Sequence, residues 1–275
     1  MGVDITFWGV RGSIPCPAPE YMIYGGNTAC VELCLDGKVI IIDAGSGIRD
    51  LGKDLSRRGV REAVMLISHT HWDHINGFPF FMFAYQADAV LDMYAAFLGD
   101  GSSAKGVFEL QMSDPFFPMP MHTLQSTLNF HNFTSGASFE LYGGEVKVET
   151  APLNHPNGAT GYRITYKDKS VAYISDTEHV PGQEDENVLR LIRGCDFVIY
   201  DALFTEDEFT GHIGWGHSTW EEAARLARKE KIKHLALFHH SPEHKDDEMA
   251  RIEEHIRGIS PNYFVAKEKM RFTIE

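Results

Sequence analysis

Six consecutive residues, His69-Thr70-His71-Trp72-Asp73-His74, hold three histidines and an aspartate. Imidazole nitrogens and a carboxylate suit zinc or a similar divalent metal. The stretch before them, Ala63-Val-Met-Leu-Ile-Ser68, is short and apolar and reads as a buried strand. On extended backbone His69 and His71, two apart, point the same way. Asp73 and His74 fall where the chain begins to curl toward Gly77 and Pro79, so they can face a second point nearby. One histidine after a strand is commonly a surface residue. Four ligand-type residues in six positions are a metal motif.

One metal needs three or four ligands, and the ends of other strands offer more. His155 follows the strand Glu145 to Ala151, Asp176 follows Ser170 to Ser175, and His239 follows His234 to Phe238. Each lies just past the C-terminal end of an apolar run, as the first motif does. Alone each is weak; with the first motif they make a coherent ligand count. His240 is the alternative to His239, but Leu235-Ala-Leu-Phe238 leads directly into His239.

The elements that must position these residues are legible along much of the chain. A first strand covers Asp4 to Trp8, and a glycine- and proline-rich loop follows from Gly9 to Gly26. Thr28 to Leu35 and Lys38 to Ile42 form a hairpin turning at Asp36-Gly37. A helix runs from Ile48 to Arg58, closed by Gly59. After the motif, Asn76 to Ala87 reads as an apolar helix and Ala89 to Tyr94 as a strand. Residues 97–135 are the least readable: their Phe and Met residues either line a substrate mouth or pack as a surface excursion on the core. Strands resume at Ser138 to Tyr142, Glu145 to Ala151, Thr160 to Tyr166 and Ser170 to Ser175, with turns at Gly143-Gly144 and Lys167-Asp-Lys169. Helices Asn187 to Arg193, Thr219 to Glu230 and Asp246 to Arg257 then alternate with strands Phe197 to Tyr200 and His234 to Phe238. Ser218 is the expected N-cap of the middle helix, with Glu221 completing a capping box. Strands Tyr263 to Ala266 and Arg271 to Ile274 close the chain. No linker-like stretch divides it, so residues 1–275 are expected to form one α/β domain of two sheets packed face to face with helices outside.

Composition narrows the function. With 39 acidic and 25 basic residues the formal net charge is −14, which disfavours polynucleotides and anionic membranes as partners. A small anionic substrate is still admitted, because bound dications reverse the local field. Cys16, Cys30, Cys34 and Cys195 contain no C-x-x-C pair, so inert thiols in a reducing compartment are expected rather than a disulfide framework. A structural metal site on Cys30 and Cys34 is the lesser reading. The opening Met-Gly-Val-Asp-Ile-Thr-Phe has no basic n-region or long apolar h-region, and no run reaches the ~18 apolar residues of a membrane helix. The expectation is a cytoplasmic protein.

Taken in order, His69-x-His71-x-Asp73-His74, His155, Asp176 and His239 resemble the signature of metallo-β-lactamase-fold hydrolases, and the match runs from Asp43-Ala-Gly45 to His239. The resemblance implies a four-layer αβ/βα sandwich with its site at the sheet edges. It also implies two divalent metal ions, expected to be Zn2+ with Mn2+ or Fe as alternatives. His69, His71 and His155 would hold one; Asp73, His74 and His239 the other; Asp176 would bridge. Gly216-His-Ser-Thr-Trp-Glu-Glu-Ala-Ala224 and Leu235-Ala-Leu-Phe-His-His-Ser-Pro242 are similar to one branch, ribonuclease Z and small phosphodiesterases of the phosphoribosyl cyclic phosphodiesterase kind. There the histidine matching His217 serves the leaving group. An acidic residue, here Asp201 where the family more often has glutamate, orients it.

Two departures bear on the substrate. Ribonuclease Z carries a tRNA-gripping arm between the metal histidine and the bridging aspartate, whereas Asp176 lies only 21 positions after His155, room for one hairpin. The chain is also strongly acidic. Both favour a compact or cyclic phosphodiester over precursor tRNA. In that reading a metal-activated water attacks phosphorus in line. Asp73 orients it, and His217 held by Asp201 protonates the departing alkoxide. Asn27 and Thr28 sit in a loop expected near the same strand ends, where they either contact substrate or form a structural turn. Rival readings are a ribonuclease Z-type 3′-end nuclease, a thioesterase or lactamase on the same scaffold, and a non-hydrolytic metal sensor or redox di-iron protein. A homodimer is expected only from the resemblance.

Overall fold

The computed structural model describes residues 2–275. Fourteen strands follow in chain order: β1 (Val3–Gly9), β2 (Cys30–Leu35), β3 (Lys38–Ile42), β4 (Glu62–Ile67), β5 (Val90–Ala96), β6 (Thr127–Phe133), β7 (Ser138–Leu141), β8 (Val146–Leu153), β9 (Ala159–Tyr166), β10 (Lys169–Ile174), β11 (Phe197–Asp201), β12 (His234–Phe238), β13 (Tyr263–Val265) and β14 (Arg271–Ile274). They form two seven-stranded sheets, ordered β14-β1-β2-β3-β4-β5-β6 and β13-β12-β11-β10-β9-β8-β7. The principal helices are α1 (Ile48–Arg58), α2 (Trp72–Ile75), α3 (Ala104–Gln111), α4 (Glu186–Ile192), α5 (Glu206–Phe209), α6 (Trp220–Lys229) and α7 (Asp246–Ile259).

The continuous apolar runs in the central strands follow from burial on both faces. In β3, Ile40 and Ile42 join the core between the sheets, while Val39 and Ile41 join the layer under α1. In β11, Phe197 and Ile199 face inward and Val198 and Tyr200 face the layer formed with α4, α6 and α7. The result is helix, sheet, sheet, helix: the four-layer sandwich expected above.

Strand direction sets the site. β3 through β6 are mutually parallel, and so are β10 through β13. β8 is antiparallel to β9, and β9 to β10, so β8 and β10 run the same way. Residues just past the C-terminal ends of β3, β4, β8, β10, β11 and β12 therefore gather on one edge, where open α/β sheets place ligands. The span between His155 and Asp176 holds the β9–β10 hairpin, as expected.

Three readings are corrected. Asn76 to Ala87 is not one helix: α2 ends at Ile75, and two single 3-10 turns follow, Phe78–Phe80 and Met82–Tyr85. Pro79 lacks the N–H that an α-helix needs, and the Gly77 N–H is taken by the Ala44 carbonyl at 2.9 Å. The cap of α6 is Thr219, whose hydroxyl accepts from the Glu222 N–H at 3.1 Å, one residue later than read; the Ser218 hydroxyl pairs with His179 Nδ1 instead. Residues 97–135 are no mere excursion, since they supply α3 and edge strand β6, and Phe108 and Met112 enter the core.

The inner core can be tested away from the site. Phe197 begins β11, at the end of the strand opposite Asp201, and its ring centre lies 4.8 Å from that of Phe272 on the other sheet. Phe197→Ala is expected to cost about 3–5 kcal/mol of unfolding free energy, measured by denaturant titration, while leaving metal content per folded chain unchanged.

Candidate active site

The first motif leaves β4 as Ser68-His69 and reaches the N-terminus of α2, where His71 is the N-cap and Asp73 and His74 form the first turn. Asp176 bridges two groups of nitrogens. Its Oδ2 lies 3.5 Å from His69 Nε2 and 3.6 Å from His155 Nε2. Its Oδ1 lies 3.1 Å from His74 Nε2 and 3.4 Å from His239 Nε2. Asp73 Oδ2 closes the second group, 3.0 Å from His239 Nε2 and 3.4 Å from His74 Nε2. His71 Nδ1 closes the first, 3.0 Å from His155 Nε2. One donor atom from each of His69, His71, His155 and Asp176 falls within 4.8 Å of the rest, and so do those of Asp73, His74 and His239. The same holds for Asp176, Asp201, His217 and His239.

The donor chemistry fits cations. His69 Nε2 is buried with no hydrogen-bond partner, an arrangement costly in a finished core. His74 Nε2 and His239 Nε2 face each other at 3.1 Å, where two lone-pair nitrogens need something positive between them. Burial, then repulsion from neighbouring histidines, holds His69 neutral, and burial does the same for His71 and His155, as metal ligation requires. Against the burial of their carboxyls, the surrounding histidines hold Asp73 and Asp176 well below the usual carboxylate range. Despite its own burial, His74 is pushed well up by Asp176, Asp73 and Asp43: this end of the cluster demands positive charge.

The outer nitrogens are fixed by partners to which the sequence reading gave no part in the site. Asp43, which follows β3, is fully buried and accepts four hydrogen bonds. Its Oδ1 takes the Ser68 N–H at 2.7 Å; its Oδ2 takes the Ser68 hydroxyl at 2.7 Å, His74 Nδ1 at 2.7 Å and the Tyr173 hydroxyl at 2.8 Å. His74 is thereby held with Nε2 toward the site. His155 Nδ1 donates to the Gly216 carbonyl at 2.8 Å. Gly216 has φ +85°, and a Cβ there would overlap the His155 ring, so no other residue fits. Asp43, Asp176 and His239 also have positive φ, of 62°, 60° and 60°. Such non-glycine residues are uncommon, and here they turn side chains off strand ends into one point. The signal for Asp43 was present, because it too follows an apolar strand directly.

His239, not His240, faces the cluster. His240 Nε2 donates to the Ala266 carbonyl at 2.8 Å, and its N–H pairs with the Val10 carbonyl. The early loop grips both sides of the site: the Ser13 N–H donates to Asp73 Oδ2 at 2.7 Å, and the Gly12 N–H to the His240 carbonyl at 3.0 Å. Arg11 underlies this grip. Fully buried, it donates to the carbonyls of Gly25, Ser241 and His244 at 2.8, 2.8 and 2.7 Å. Asn27 and Thr28 form the structural turn: Thr28 is buried and takes the Ser46 N–H at 2.8 Å, and Asn27 Oδ1 takes the Ser46 hydroxyl at 2.9 Å.

His217 lies beside the cluster, its ring stacked 5.0 Å from that of His239. Its Nδ1 donates to Asp201 Oδ2 at 3.0 Å. Asp201 is itself fixed by the N–H groups of Thr177 and Leu203, both at 3.1 Å. Burial opposes the cation, but Asp201 and then Asp176 and Asp73 outweigh it and raise the His217 pKa to about 9. Among the described residues no group pairs with its Nε2. All four cysteines are unpaired thiols, and Cys30 joins the outer core rather than a metal cluster.

Residues 38–240 match the beta-lactamase superfamily domain. A ribonuclease Z of Treponema denticola is 24% identical over 319 aligned positions, taking in all of this chain and 99% of that protein. That alignment is longer than the 275 residues here, so the relative carries insertions this chain lacks. The metallo-beta-lactamase fold protein YhfI of Bacillus subtilis superposes with a TM-score of 0.75 at 17% identity over 99% of both chains. A diphosphatase of the PhnP family gives 0.68 at 21% identity over 99% of this chain and 98% of its own. These likenesses establish the fold.

Two substitutions test the supports. Asp43→Asn keeps the volume but removes the charge facing His74, and is expected to weaken metal binding by about 10–100-fold, read by chelator competition with elemental analysis. Arg11→Met orphans three buried carbonyls and should cost on the order of 3 kcal/mol, read by denaturant titration of the metal-free and metal-loaded protein.

Proposed function

The chain belongs to the beta-lactamase superfamily, and on that premise we propose that residues 1–275 act as one hydrolase domain cleaving a small or cyclic phosphodiester. The observation that carries the proposal is the position of His217. It lies against the metal-ligand cluster, is tethered to Asp201 through Nδ1, and has Nε2 free of protein partners. A superfamily site that only needs to hold metal and water has no use for such a group. Cleavage of a phosphodiester does, because breaking the P–O ester bond leaves an alkoxide that needs a proton.

In this reading His69, His71, His155 and Asp176 would hold one divalent ion, and Asp73, His74, His239 and Asp176 the other, with zinc the expected metal. Bound there, the ions supply an activated water near neutral pH and offset charge on the phosphate. Asp73, fixed by the Ser13 N–H, orients the attacking water. Asp201 keeps His217 in the tautomer with Nδ1–H turned away from substrate, so that the ionised ring delivers its Nε2 proton to the leaving oxygen. Asp201 here occupies the place where relatives of this branch more often carry glutamate, one carbon longer.

Small esters are favoured over precursor tRNA. Asp176 lies only 21 positions after His155 and the β9–β10 hairpin fills that span, leaving no arm there, and the formal net charge is −14. The likeness to a named ribonuclease Z supports a second reading, a 3′-end nuclease, which the same assay addresses. No helix among the described residues is long and apolar enough to cross a membrane.

The test is a substrate panel on metal-loaded protein: a bis-aryl phosphodiester, a 2′,3′- and a 3′,5′-cyclic nucleotide, a ribose cyclic phosphate, a thioester and a precursor tRNA. Turnover of small phosphodiesters is expected; thioester turnover without it overturns the reading. His217→Ala should lose ~10²–10⁴-fold in kcat on an alkyl leaving group and far less on p-nitrophenolate, which departs without a proton. Equal losses on both would remove the general-acid role. Dialysis against a chelator should abolish turnover, and zinc or manganese should restore it.

A further inference from the structure

Beside the metal-ligand cluster lies an apolar groove of about 370 Å³ that the chemistry above does not use. Trp72, Phe80, Leu110 and Phe116 line it and are 73%, 54%, 61% and 63% exposed. Large apolar side chains gathered and left open in this way mark a binding surface. Its position ties it to the site: Trp72 stands in sequence between His71 and Asp73, and Thr70 lines both this groove and the 550 Å³ cleft bordered by His69 and His71. Its polar wall groups, Thr70, Asn76 and Gln111, are uncharged, and no Lys, Arg, Asp or Glu lines it.

Resting on the phosphodiesterase reading, we infer that this groove receives the organic group of the ester that is not expelled, and that this group is a planar, uncharged heteroaromatic such as a nucleobase. A second phosphate would find no cation in the groove, and a protein of net charge −14 would repel it. An amine would find no carboxylate. A planar ring finds Trp72, Phe80 and Phe116 to stack on, with amide and hydroxyl groups for its polar edge. The volume suits one such group and excludes a folded polynucleotide. The sequence motif thus has a second use: Thr70 and Trp72, which alternate with its ligands, form the near wall of the specificity groove.

The experiment compares two esters with the same leaving group, thymidine 5′-(p-nitrophenyl) phosphate and methyl p-nitrophenyl phosphate, on metal-loaded protein. Base–aromatic stacking should make the nucleoside ester better by about ten-fold or more in kcat/KM. Leu110→Asp and Phe116→Ala should bring the two within about two-fold of each other, through KM, leaving methyl ester turnover unchanged. In parallel, calorimetric titration with thymidine, which needs no hydrolysis, should show binding that both variants weaken about ten-fold. Circular dichroism and thermal midpoints establish that both variants fold. Equal cleavage of the two esters by wild type, or equal loss on both in the variants, overturns the inference and leaves the phosphodiesterase reading standing. If neither ester is cleaved but thymidine binds and Leu110→Asp abolishes it, the phosphodiesterase reading falls and the groove stands. If neither happens, both fall. A dimer that Leu110→Asp splits on light scattering with selectivity unchanged would make the groove a contact between copies and overturn the inference.

Discussion

A single buried carboxylate holds the site to the sandwich. Asp43 joins the end of β3, the turn after β4 and the inner face of β10 through four hydrogen bonds, from the Ser68 N–H and hydroxyl, His74 Nδ1 and the Tyr173 hydroxyl. A buried anion with fewer donors would cost several kcal/mol. With four donors, three of them side chains on the turn after β4, on α2 and on β10, it instead fixes how the sheets meet at this edge. Tyr173 and Phe238 meet on the inner face of the same sheet, ring centres 5.7 Å apart, and Phe238 is followed at once by His239. The packing of the inner core and the aim of two candidate ligands are therefore one arrangement.

Direction comes from strained strand ends. Asp43, Asp176 and His239 each leave a parallel strand in left-handed backbone, and a residue in that conformation persists only where its surroundings over-determine it. For His239 the surroundings are clear. The segment Val10–Gly12 pairs with His240, and Arg11 binds the carbonyls of Ser241 and His244 beyond it. The same loop presents the Ser13 N–H to Asp73. One loop from the start of the chain thus sets Asp73 and His239, 166 positions apart, against each other. The cluster so assembled has neutral imidazoles at one end and a demand for positive charge at the other. Divalent ions bound there would reverse the local field of an otherwise acidic protein at this one edge.

Much of this was legible before the fold was in hand. Apolar runs such as Lys38–Ile42 and His234–Phe238 are continuous because both faces are buried, so strands and their ends could be placed from composition alone. Segments whose structure depends on distant partners were not. Asn76 to Ala87 has the aromatic content of a buried helix, yet Pro79 and the bond from Gly77 to Ala44 break it into turns. Thr219 and Ser218 are both good caps, and the choice fell to Thr219 because Ser218 is engaged by His179. Residues 97–135 read poorly because their half-buried strand β6 is an edge strand whose apolar residues divide between the inner core, against which Phe133 packs, and the outer layer, against which Leu128 and Phe130 pack.

By itself the sequence determined the ligand types, their order and their place at strand ends, because local spacing governs backbone direction and strand period. The pairing of His217 with Asp201 came from the sequence only through its resemblance to the ribonuclease Z branch. Only the tertiary structure decided which nitrogen of each histidine faces inward, that His239 rather than His240 does so, that Asp43 anchors the site, and that Thr70 and Trp72 open onto a groove. Those outcomes rest on hydrogen bonds and packing between residues up to 233 positions apart, and no local pattern encodes a partner at that distance.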